Sequence, residues 1–232
     1  LNERLRVLSA GSTVRALRAL GPGLGPVEIA TDHGHNIVVA MDRDDPPADI
    51  VLLPRDMIDA LVAKGRLAAG TIALGAVATS GVVCEGAPPP DIAAMDALRA
   101  ALLGASRVLL TTAPSGQHMT RVIGRLGIAT EVAGKVLRFD KSSDLNAWLL
   151  RERDPRALGF GPTTEIAGVA GVTNAGLVAT EAQMVLPYAA GVIPSRANEP
   201  AAQAFLKFVT SREARAAFET TGMTYAAASP SA

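Results

Sequence analysis

The chain has 232 residues, with 22 Lys plus Arg balanced by 22 Asp plus Glu, and it is 49% hydrophobic but only 3% aromatic. That apolar fraction supports a packed core and excludes a disordered chain, while the length admits one domain or two modest lobes. Zero net charge without any Lys/Arg-rich run excludes nucleic acid and an anionic membrane surface as partners.

The longest uncharged stretch, Leu67 to Cys84, is broken by Gly70, Gly75 and Gly81 and does not read as a membrane-spanning helix. Cys84 is the single cysteine, so neither an intrachain disulfide nor a cysteine-rich metal site is expected. No signal peptide is visible at Leu1, a start expected equally of a trimmed, exported product and of an unexported chain.

In chain order, Leu5 to Ala10 reads as a buried strand, with Ser12 as an N-cap before Val14, Leu17 and Leu20 at helical spacing. Val27 to Ala30 is a second strand, followed by the polar turn Thr31-Asp32-His33-Gly34-His35-Asn36 and a short helix beginning at Ile37 to Met41. Ile50 to Leu53 is a third strand, leading past Pro54 into a helix with Met57, Ile58, Leu61 and Val62 on one face. Ile72 to Cys84 is strand-like but interrupted by glycine, and Gly86 to Pro90 is a break. Asp91 is the expected N-cap of a helix striped by Ile92, Met95, Leu98 and Leu102.

Val108 to Thr112 is the next strand, and Ser115-Gly116-Gln117-His118 opens a helix carrying Met119, Val122, Ile123 and Leu126. Val136 to Phe139 is followed by a helix through Leu145, Trp148 and Leu149 that Ser142 or Ser143 would cap. Ala157 to Phe160 runs into Gly161-Pro162-Thr163-Thr164, and Met184 to Ile193 is a long apolar strand. Two helices, around Phe205 and Phe208 and around Ala214, Ala217 and Phe218, close the chain before a tail from Ala226 that is expected to fray. Strand–helix alternation of this kind signals α/β architecture with mostly parallel sheets, and the Pro/Gly break near residue 86 suggests a boundary between two such units.

Ligands of open α/β sheets bind beyond the carboxyl ends of the strands, so the strand-to-helix turns are the segments to inspect. Several of these turns are small and hydroxyl-bearing, and helix N-termini with unpaired N–H groups suit an anion. All three histidines, His33, His35 and His118, fall in these turns. Three readings stay open for them: donors or proton carriers at an anion site, polar residues in surface turns, or metal ligands together with Asp32 or Glu165. No nucleophile elbow, phosphate-binding loop or zinc-protease motif is present, and Gly21-x-Gly23-x-Gly25 follows a helix rather than a strand.

The segments VLSAGSTVRAL at 7–17, ADIVLLPRDMIDALVAKG at 48–65, RLGIATEVAGKV at 125–136, ALGFGPTTEI at 157–166 and PAAQAFLKFVTSREARAAFETTGM at 200–223 carry a family resemblance. Together with the strand order, they make the chain similar to the molybdate-binding-type solute receptors of ABC transporters, within the type II periplasmic binding proteins. The resemblance implies an α/β fold of two lobes, each a mixed, mostly parallel sheet flanked by helices, with a ligand cleft between. It places lobe 1 at 1–80 and 184–232 and lobe 2 at 81–183, with hinge crossovers near 78–84 and 181–187.

In this family an oxyanion is held by hydroxyls and backbone N–H groups. The matching positions are Ser12 in the first loop, His33-Gly34-His35 in the place of the second, the neighbourhood of Pro54 in the third, and Ser115 with Ser142 or Ser143 in the second lobe; Gly116, His118, Thr163 and Thr164 are further candidates from the same turns. Two departures stand out: Asp32-His33-Gly34-His35 replaces a serine-rich loop, and Pro162-Thr163-Thr164 replaces an expected tyrosine. A larger, carboxylate-bearing ligand fits these loops better than molybdate. The resemblance therefore implies a monomeric periplasmic receptor that captures a small anion by lobe closure for an ABC permease, without cofactor, metal or membrane insertion. The alternative is an enzyme similar to aconitate isomerase on the same scaffold, with His33, His35 or His118 relaying the proton.

Overall fold

The computed structural model describes residues 4–43 and 48–224, so the tail from Ala226 and the start at Leu1 lie outside the described residues. The chain divides into two compact units, Leu1–Val77 with Leu186–Ala232, and Ala78–Val185.

In the first unit, β1 (Leu5–Ala10), α1 (Gly11–Leu20), β2 (Val27–Asp32), α2 (Gly34–Arg43), β3 (Ile50–Pro54), α3 (Arg55–Ala63) and β4 (Ile72–Val77) follow one another. The second unit contains β5 (Thr79–Cys84), α4 (Met95–Gly104), β6 (Val108–Thr111), α5 (Pro114–Arg125), α6 (Ala129–Ala133), β7 (Val136–Phe139), α7 (Ser142–Glu152), β8 (Leu158–Pro162), α8 (Thr163–Ile166) and β9 (Val172–Leu177). The chain then returns to the first unit with β10 (Leu186–Val192), α9 (Pro200–Val209), α10 (Arg212–Thr220) and the short β11 (Met223–Thr224).

The first sheet has the order β11-β4-β10-β3-β1-β2. β1 runs parallel to β2 and β3, whereas β10 is antiparallel to both β3 and β4. The second sheet has the order β7-β6-β8-β5-β9, with β6 parallel to β7 and β8, and β5 antiparallel to β8 and β9. Both sheets are thus mixed. The all-apolar runs lie deepest: every residue of β3 is buried, as a strand covered on both faces requires. Its core includes Leu17, Ile50, Leu52, Phe205 and Phe218, and that of the second unit Leu98, Leu109, Val122, Leu149 and Phe160.

Several expectations are corrected. Ile72 to Cys84 is two strands in different sheets, because the chain passes from β4 to β5 at Ala78. Ser12 does not cap α1: Ala10, extended at φ −62° and ψ 154°, is the cap residue, and the helix begins at Gly11. The hydroxyls of Ser9 and Thr13 instead pair with each other at 2.6 Å. Asp91 does not cap α4, since its Oδ1 accepts from the Ala93 N–H at 3.0 Å and closes a turn short of the helix, which starts at Met95. Buried Ile92 therefore precedes the helix rather than striping it. Neither Ser142 nor Ser143 caps α7, because the extended residue before it is Lys141. Helix α2 starts at Gly34, a turn earlier than expected, which takes His35 and Asn36 out of the turn and into the helix. β9 and α6 were not anticipated; β9 is a half-exposed edge strand whose apolar residues are interrupted by Thr173, Asn174 and Gly176, and α6 has only 5 residues.

Two polar devices hold the units. Asp49, 8% exposed, accepts from the Arg6 N–H at 2.8 Å and pairs with Arg196 Nε at 3.1 Å, while Arg196 also reaches Glu199 at 2.7 Å. In the second unit the Gln183 side chain mimics a strand partner. Its Oε1 accepts from the Thr79 N–H at 2.6 Å and its Nε2 donates to the Thr79 carbonyl at 3.0 Å. Replacing Asp49 with Ala leaves Arg196 partly buried beside one remaining carboxylate and orphans the Arg6 amide, so chemical denaturation should show a loss of about 2–3 kcal/mol.

Candidate functional site

Each sheet presents three adjacent parallel strand ends, and each of those ends feeds a helix. In the first unit these are β3, β1 and β2, followed by α3, α1 and α2. This edge gathers Ser12, His33, Gly34, His35 and Pro54. Ser12 is 4% exposed at the second position of α1, and Pro54, which lacks an N–H, is the buried residue before α3. His33 is half-buried and His35 exposed. The turn ahead of α2 is set by Asp32, whose Oδ1 accepts from the His33 N–H at 2.7 Å and the Asn36 amide at 3.0 Å. Tyr188, 6% exposed in β10, pairs with Pro54 and brings an aromatic residue to the same edge. Sequence reading missed it because it sits inside an apolar run on the antiparallel strand.

In the second unit β7, β6 and β8 end side by side and lead into α7, α5 and α8. Ser115, 3% exposed, and Gly116 occupy the first turn of α5, whose leading N–H groups have no carbonyl a turn behind them. Gly116 is required sterically, since a Cβ there would lie 1.9 Å from the Thr111 carbonyl oxygen and 2.5 Å from its nitrogen. Ser142 is 7% exposed at the first position of α7, while the neighbouring Ser143 faces solvent. Thr163 and Thr164 are buried, and the Thr163 N–H is committed to the Ala78 carbonyl at 2.9 Å.

His118 lies within α5 and is half-buried, with Nε2 2.8 Å from the Ala182 carbonyl oxygen. A carbonyl only accepts, so Nε2 carries the proton and donates. Arg125, further along the same helix, reaches the Glu181 carbonyl at 3.1 Å. One side of α5 thus holds the 180–182 turn, and only Nδ1 of His118 remains for other work.

Among the described residues no group of three or more His, Cys, Asp or Glu is placed to hold a metal ion, and no helix is long and apolar enough to cross a membrane. The carboxyl of Asp154 is held below the usual carboxylate range by the Ser106 hydroxyl, 2.5 Å from its Oδ2. Both residues precede their strands, so they lie at the sheet edge opposite the candidate site.

Two α/β units with these strand orders define the fold of the two-lobed periplasmic binding proteins. The periplasmic molybdate-binding protein of Azotobacter vinelandii is similar at a TM-score of 0.72 and 14% identity, covering 97% of this chain and 100% of that chain. Peb3 from Campylobacter jejuni has a TM-score of 0.68 and 12% identity over 96% of this chain and 100% of its own. The chain belongs to the bacterial extracellular solute-binding protein family, whose model matches residues 5–224. A curated relative, aconitate isomerase from a Pseudomonas species, is 29% identical over 240 residues, covering 97% of this chain and 89% of the relative.

Gly116→Ala forces α5 away from β6. Thermal and chemical unfolding should show a loss of about 3 kcal/mol or more, well above the cost of an ordinary helix glycine substitution.

Proposed function

We propose that the chain is a periplasmic solute-binding protein that captures a small organic carboxylate and presents it to an ABC permease. The carrying observation is the repeated arrangement of three adjacent parallel strand ends in each sheet, feeding helix N-termini whose first turns carry Ser12, Ser115 and Ser142. Such N–H groups and hydroxyls hold an anion without a fixed countercharge. The ligand contacts of this reading are Ser12, His33, Gly34, His35 and Pro54 in the first unit and Ser115, Gly116, His118, Ser142 or Ser143, Thr163 and Thr164 in the second. An organic acid is favoured over molybdate by the imidazoles of the second loop, since a close-fitting cage for a bare oxyanion gains nothing from them.

A thermal-shift panel of di- and tricarboxylates, molybdate and tungstate tests this reading. A carboxylate at a hundredfold its Kd should raise Tm by roughly 5–10 °C. A shift from molybdate or tungstate alone sinks the carboxylate assignment. His33→Ala and His35→Ala should each weaken the carboxylate about fivefold or more by titration calorimetry, as loss of one hydrogen bond does.

The second reading, isomerisation of an unsaturated tricarboxylate, is favoured by the Pseudomonas relative named aconitate isomerase. It requires a proton to leave one carbon and arrive at another of the same allylic system. His33 suits that role better than His118, whose Nε2 is engaged by Ala182. Turnover would appear as deuterium entering aconitate in heavy water, lost by at least about a hundredfold in His33→Ala. Binding without exchange leaves the receptor reading alone standing.

A further inference from the structure

In the second unit, three polar side-chain atoms that the proposed contacts do not use are buried without a hydrogen-bond partner: Ser80 Oγ, Thr111 Oγ1 and Asn146 Oδ1. Ser80 and Thr111 are fully buried and Asn146 is 5% exposed. Leaving such groups unpaired costs about 1–3 kcal/mol each, so what satisfies them is a functional question.

Their placement follows from register. Ser80 on β5 pairs directly with Gly161 on β8. Two residues back along β8, a Cβ on Gly159 would touch Val82, Leu109 and Leu145 of α7, so those positions share the face that α7 covers. With side chains alternating at a period of two, Ser80, Gly161 and Thr111 form the next row on that same face. The middle member has no side chain, so the row is indented. Over the indentation lies Ser142 Oγ, 3.5 Å from where a Gly161 Cβ would stand, beside Ile166 Cδ1 at 3.5 Å. Asn146 is one turn after Ser142 on the buried face of α7.

Asn146 decides the chemistry. Its Nδ2 donates to the Glu165 carbonyl at 3.0 Å, which fixes the amide and leaves Oδ1 as a pure acceptor. A bare oxyanion or an ionised carboxylate brings no hydrogen to that oxygen. An alcohol can donate to Asn146 while accepting from Ser80 or Thr111. We infer that the indentation over Gly161, bounded by Ser80, Thr111, Ser142 and Asn146, is a subsite for an alcoholic hydroxyl on the bound acid. This rests on the carboxylate reading above and narrows it to hydroxy acids.

Matched pairs differing by one hydroxyl, citrate against tricarballylate and malate against succinate, test it by titration calorimetry on the full chain. The hydroxylated member of at least one pair should bind tenfold or more tightly, since a site built for a hydroxyl discriminates strongly against its absence. Thr111→Val, which keeps the side-chain shape, and Gly161→Ala, whose Cβ fills the indentation at ordinary contact distances, should each remove that preference while the deoxy acid still binds. Equal affinity within both pairs, as when water alone occupies the indentation, overturns the subsite and leaves the carboxylate reading intact. Binding of molybdate with none of the four acids overturns both. A preference that survives both variants also overturns the subsite.

Discussion

A parallel strand cannot turn straight back; it needs a crossover, and in both units that crossover is a helix. Each strand that runs parallel to its neighbour therefore delivers the chain to a helix N-terminus at the same edge of the sheet. Three such deliveries side by side, from β3, β1 and β2 in one sheet and from β7, β6 and β8 in the other, gather helix N-termini and their backbone dipoles at one edge of each sheet. What the sequence must provide is close approach of helix to strand, which Gly116 permits against Thr111.

The elements legible in the sequence were those whose burial is simple. Ile50 to Leu53 is apolar throughout because β3 is covered on both faces, and the spacing of Met119, Val122 and Ile123 marks the buried side of α5. The pattern failed where a local signal had two meanings. Ser12, Asp91 and Ser142 all look like N-caps, but helices here are preceded by extended Ala10, Ala94 and Lys141, none using a side-chain cap. Ile72 to Cys84 reads as one strand because both halves are strands; nothing local announces that they join different sheets.

The candidate site was legible by the same measure. Residues in strand-to-helix turns can be singled out from sequence because topology alone sends them to one edge. Tyr188 at that edge, and Ser80, Thr111 and Asn146 of the proposed hydroxyl subsite, are not legible, because they sit within strands or a helix and are told from core positions only by tertiary register. His118 is legible as a histidine near a strand-to-helix turn, but its partner is not. Its bond to the Ala182 carbonyl depends on a contact 64 residues away in sequence.

The position of β10 bears on how the chain acquires its fold. This strand lies between β4 and β3, in the interior of the first sheet, yet it is made only after the whole second unit, Ala78–Val185. Until it arrives, β4 has no neighbour on that side and the β1–β2–β3 half carries an open edge along its most apolar strand. Closing the sheet brings together segments separated by the length of an entire unit, a non-local pairing of the kind that slows folding. During synthesis the second unit can form on its own contiguous stretch while the first waits, incomplete and with β3 unprotected. The unit that begins first is thus the one whose sheet can be completed only last.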